Sequence, residues 1–113
     1  MSNMATLVNV AEIHEEATAA AVKAAAVLHE KIGGDRYACG FAWVTVYGVK
    51  LNTKIGKQFA AIGFRKAYGG GIDLWNPSKS PVQNIDIKEA GAEAYTAVLT
   101  KHGFKAYAGS RMD

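Results

Sequence analysis

The chain has 113 residues, half of them apolar and one fifth charged, with 12 Gly and 2 Pro; this is enough for one globular core, too short for two, and too apolar for a disordered chain. A single cysteine, Cys39, excludes an internal disulfide and any zinc site built from several thiolates. No apolar run approaches the roughly 18–20 residues that a bilayer-spanning helix requires, and the N-terminus lacks a basic stretch followed by an apolar one, so a cytoplasmic protein with no membrane partner is expected.

The formal net charge of +3 is unevenly placed. Residues 1–35 carry two basic and five acidic side chains, whereas 36–113 carry eleven basic and five acidic. The chain therefore divides into an N-terminal Ala-rich helix over 1–35 and a basic, sheet-containing part over 36–113 of the same domain. Lys50, Lys54, Lys57, Arg65 and Lys66 lie within 50–66 with no acid among them. Such a run suits an anionic ligand or nucleic acid, or else forms a solvated helix face.

Asn9 with Glu12 reads as an N-cap and its capping-box partner, opening a helix that Gly33-Gly34 ends. Val10, Ile13, Ala17, Ala20, Ala24, Val27, Leu28 and Lys31 recur at three- and four-residue spacing and predict its packed stripe. A stripe made mostly of Ala removes little area from water but permits close backbone approach, which makes a subunit interface plausible. His14 and His29 are not one turn apart, so solvated or capping roles fit them better than metal ligation.

Residues 37–47 alternate, with Tyr37, Cys39, Phe41, Trp43, Thr45 and Tyr47 on one face and small or β-branched residues on the other. They predict a central strand buried on both sides, with a helix against the small face, the Ala-rich one being a candidate, and a thick layer or a ligand against the aromatic face. Cys39 is expected to be inert core. A short helix is predicted over Asn52–Phe64, capped by Asn52 or Thr53 and ended by Gly63. Its TKIGKQ segment lacks the spacing and the following Ser/Thr of a phosphate-binding loop. Phe64–Tyr68 and Ile72–Trp75 flank Gly69-Gly70-Gly71 as a hairpin whose tip is either a plain turn or a site cover. After the loop NPSKSP, Asp86 with Glu89 reads as a second capping box; Ile87, Ala90, Ala94, Tyr95, Val98 and Leu99 form the inner stripe, and Gly103 closes the helix. Phe104–Ala108 reads as a last strand. The expected fold is α+β, about three helices around a small mixed sheet of about four strands.

The chemistry-bearing residues are those of a binder. No nucleophile elbow, metal cluster or dinucleotide fingerprint is present, so neither catalysis, metal nor cofactor is expected. Arg36, Arg65, Lys66 and Arg111 suit phosphate, while Tyr68, Trp75, Phe41 and Tyr107 offer flat surfaces for a base. Asn84 and Gln83 could read a base edge or ribose, or simply form the turn before the helix. Trp75 has the alternative of core or interface.

In the stretches YACGFAWVTV, KAYGGGIDLW, NIDIKEAGAEAYTAVLTKHGFKAY and GSRMD, covering roughly residues 36–113, the chain resembles small phage proteins that sequester cyclic ADP-ribose signals to defeat Thoeris immunity. The resemblance implies a small α/β homo-oligomer, at least a dimer, in the host cytoplasm. It further implies that a cyclic nucleotide signal is held between subunits without degradation, and that a second pocket can take other cyclic oligonucleotides. Trp75, Asn84, Arg36, Arg65 and Arg111 are the residues of matching type. A protein that binds a doubly charged adenine metabolite and leaves it intact needs cations and aromatics and no base or nucleophile. A single-stranded nucleic-acid binder needs the same groups. A module docking on a host protein through the Ala-rich helix is a third reading, and an enzyme acting on a nucleotide a fourth.

Overall fold

The computed structural model describes residues 9–32, 40–67, 69–79 and 84–112. Along the chain these form α1 (Val10–Ile32), β1 (Gly40–Tyr47), α2 (Lys54–Ala61), β2 (Arg65–Lys66), β3 (Ile72–Trp75), α3 (Ile85–Lys101) and β4 (Lys105–Met112). The sheet order is β2-β3-β1-β4. The fold class is α+β as expected, but the sheet is antiparallel at every described pairing rather than mixed.

Local chemistry explains the element ends. Asn9 Oδ1 accepts from the Glu12 amide at 3.2 Å, as the capping box predicts. Thr53 Oγ1 accepts from Gly56 N at 3.0 Å and starts α2. The cap of α3 is Asn84 rather than Asp86: its Oδ1 accepts from Asp86 N at 2.8 Å and Ile87 N at 3.3 Å, so the helix begins two residues earlier than the predicted box sets it. Gly103, at φ +94°, turns the chain out of α3 toward β4. That strand runs through Met112, well past the predicted end at Ala108.

α3 packs on one face of β1 and β4 and, on its other side, against α1. The sheet face it covers carries Ala42, Val44, Val46, Ile72 and Ala106, all buried. Gly40 completes that contact, since a Cβ there would lie 2.5 Å from Ile85 Cδ1. The helix lying on β1 is thus α3 and not the Ala-rich α1, because α1 spends its buried stripe on α3. That stripe is Val10, Ile13, Ala17, Ala21 and Ala25. The predicted stripe and the observed one part after Ala17, where the burial follows a strict four-residue step; Ala20, Ala24, Val27 and Leu28 instead line a shallow apolar groove of about 440 Å³ with Lys23, Lys31 and Ala90. The alanines matter most where the helices touch: a Cβ on Gly91 of α3 would lie 2.6 Å from Ser78 Cβ and 3.4 Å from the Ala21 carbonyl oxygen. α2 closes one end of the core with Phe59, whose ring meets Phe64 and Phe104 edge-on at 5.0 and 5.2 Å.

Polar contacts lock the register of α1 against α3. Lys101 and His102 both bond Glu16, the latter at 2.9 Å. The Lys101 bond, and after it that of His102, holds the Glu16 carboxyl below the usual carboxylate range. Deeper in, the Tyr95 hydroxyl lies 2.7 Å from His14 Nδ1, and burial pushes the Tyr95 phenol upward. His14 is held below its ordinary value of 6.5, first by burial and then by the charge of Lys79, with Glu15 opposing. A folded-state value depressed below the unfolded one contributes stability that is whole above pH 6.5 and is lost as the pH falls, because the unfolded chain takes up the proton first. Thermal melts should therefore show a lower Tm at about pH 5.5 than at about pH 7.5, and His14→Gln should shrink that difference; an equal drop in the variant would assign the acid sensitivity elsewhere.

Candidate nucleotide-binding face

The second face of the sheet is built by the same alternation that fills the core. Phe41, Trp43, Thr45 and Tyr47 of β1 point away from α3, and the register sets Trp43 between Trp75 and Gly109, Phe41 beside Arg111, and Thr45 between Asp73 and Tyr107. Arg65 pairs with Asp73 and Lys105 with Tyr47. No described element covers this face: Trp75 is 47% and Tyr107 59% exposed. The expectation that β1 is buried on both sides is corrected here, since its aromatic side has no described layer over it. Residues 37–39, including Cys39, lie outside the described residues.

The aromatics form two groups. Trp43 and Trp75 stack at 4.7 Å with 25° between planes, and Phe41 leans on Trp75 at 6.0 Å. The Arg111 guanidinium carbon sits 5.8 Å from the centre of the Phe41 ring and Lys88 Nζ 5.6 Å from it. Four residues further along β1, Tyr47 meets Tyr107 at 5.8 Å. Gly109 makes the first group possible: a Cβ there would stand 2.6 Å from Trp43 Nε1, so the indole lies over bare backbone. Beside the second group opens a cleft of about 610 Å³, lined by Tyr47, Lys50, Thr53, Phe104 and Lys105 among others and by no carboxylate. The open face itself carries Arg65, Lys105 and Arg111 against Asp73.

Of the site residues expected from the sequence, Trp75, Arg65 and Arg111 share this face, Arg111 as part of β4. Lys66 does not join them. It pairs with Ile72, points to the opposite side of the hairpin and lines a separate cleft of about 360 Å³ with Lys50 and Gly71. Asn84 is fully buried, with its amide oxygen engaged in capping α3. Arg36, Tyr68 and Gln83 lie outside the described residues. Sequence reasoning did not single out Trp43, Gly109, Lys105 or Lys88 as site residues. The first was legible from the alternation shared with Phe41, while Gly109 and Lys105 become visible only once β4 extends to Met112. Lys88 had no signal, since it lies in the inner stripe of α3, is buried, and reaches across to donate to the Gly40 carbonyl at 3.1 Å.

Gly109→Val should displace the Trp43 ring, abolish the Trp–Trp couplet in circular dichroism and cost about 1–3 kcal/mol of stability, the range for overpacking. An unchanged couplet would show that the indole does not rest on Gly109.

Among the described residues no three His, Cys, Asp or Glu side chains gather as a metal site requires, and no helix is long and apolar enough to cross a membrane. No protein-family model, curated protein or solved structure matches the chain.

Proposed function

We propose that this protein binds a cyclic nucleotide signal, of the cyclic ADP-ribose or cyclic oligonucleotide class, and sequesters it without degrading it, as an anti-defence protein of phage type would. The observation that carries the reading is the sheet face that no described element covers, on which Trp43 stacks on Trp75 at 4.7 Å and Arg111, on the strand next to Trp43, lies over the Phe41 ring at 5.8 Å. An adenine stacked on the indoles gains roughly 1–3 kcal/mol, and a guanidinium can grip a phosphate bidentately. The resemblance of residues 36–113 to Thoeris-evading phage proteins supports the identity of the ligand, and the face offers a nucleobase flat rings and a phosphate a guanidinium.

The proposal includes self-association. A face open to solvent leaves a nucleotide half-covered, and a second protomer would complete the enclosure that tight binding needs. The exposed Val22 and Val27 of α1 and the apolar groove beside Val27 support an oligomer of at least two chains. Sedimentation at micromolar concentration should give a particle larger than the 12.0 kDa monomer; a monomer would end this part of the proposal.

The ligand is tested by incubation with a panel of cyclic ADP-ribose isomers and cyclic dinucleotides, followed by heat release and mass analysis. Intact recovery is expected, and a changed mass would make the protein an enzyme. Arg111→Ala should weaken binding by about 1.5–3 kcal/mol, roughly 10- to 150-fold, with little change in Tm, because the side chain is exposed. Undiminished affinity would remove Arg111 from the site.

A further inference from the structure

We infer that the same face also accepts a linear single strand of nucleic acid, laid along β1 with one base on the Trp43/Trp75 pair and another on the Tyr47/Tyr107 pair. The inference rests on the reading that this face binds nucleobases and adds that it binds two of them at a set distance.

The aromatics are divided into two pairs rather than spread evenly, with Thr45 between them in β1. Thr45 is 9% exposed although it stands on the open side, so the floor between the pairs is low and flanked by rings. Trp43 and Tyr47 are four residues apart in one strand, about 13 Å at the rise of a β-strand. No single base spans that distance. A stacked strand rises about 3.4 Å per nucleotide, which puts the two platforms about four nucleotides apart, and fewer if the strand is splayed. A mononucleotide would use one pair and leave the other idle.

Charge follows the same line. Arg111 stands beside the first pair and Lys105, in register with Tyr47, beside the second, both on β4, while Arg65 lies on the same face at the opposite edge of the sheet, across from Asp73. Two cations along one edge of a row of aromatics is the arrangement that tracks a sugar-phosphate backbone while its bases stack inward. The acid-free cleft beside Tyr47, with Lys50 and Lys105 in its lining, leaves room for the strand to continue.

The test is a ladder of linear oligodeoxyadenylates from one to eight nucleotides, titrated against tryptophan fluorescence beside the cyclic nucleotide panel. Affinity should climb at least tenfold from one nucleotide to about four or five, and then rise only with the number of available registers. For the longer strands log affinity should fall against log salt with a slope of about −1.4, as two phosphate contacts on single strands give. Tyr107→Ala, at a position 59% exposed, should flatten the climb, with circular dichroism checking that the fold is kept. If the monomer binds as tightly as the octamer, or if the cyclic panel binds and no linear strand does, the two-platform inference is overturned while the sequestration reading stands. If neither the ladder nor the panel binds, both fall.

Discussion

The burial of α3 on two sides is the constraint on which the rest of the structure depends. One side of the helix fills the pleat of β1 and β4, and the other receives α1, with Gly91 facing Ser78 and the Ala21 carbonyl. A helix so used needs small residues where neighbouring atoms approach closely and large ones where space remains, and its buried residues include Gly91 and Ala92 beside Tyr95 and Leu99. Because α1 is taken up by α3, it cannot serve as the second cover of the sheet.

The open face follows from that shortage of cover. An antiparallel sheet tolerates one wet side, but its residues are then usually polar. Here β1 sets Phe41, Trp43 and Tyr47 on the wet side and leaves Ala42, Val44 and Val46 for the core. Exposing aromatic area forgoes the stabilisation its burial would bring. The neighbouring residues have been fitted to that arrangement: Gly109 yields its side chain to the Trp43 indole, and Arg111 and Lys105 border the rings on β4. Such a face sets flat rings beside cations, and these are the groups on which the proposed nucleotide binding rests.

The buried polar groups belong to the scaffold. Tyr95 with His14 joins α1 to α3, Asn84 caps α3, and Lys88 ties α3 to the start of β1. Lys88 also stands at the Phe41 ring, so the helix layer and the open face share one cation at the sheet's end.

The sequence by itself determined the element types, the central place of β1 and the sidedness of its residues, because capping chemistry, glycine stops and the period-two alternation act over a few neighbours. Asn9, Thr53, Gly63 and the glycine hairpin were legible for that reason. Trp75, Arg65 and Arg111 were legible as candidates by residue type alone. Tertiary structure decided which helix lies on the sheet, since Ala spacing in α1 fits either a helix or a sheet as its partner. It decided that Asn84 caps α3, that Lys66 turns away from Arg65 and that β4 continues through Arg111, because pairing with β1 over its whole length extends a strand that local propensity would have ended at Ala108. The two aromatic platforms also belong to the tertiary structure: Trp43, Trp75 and Gly109 are separated by more than thirty residues at each step, and only the sheet register brings them together.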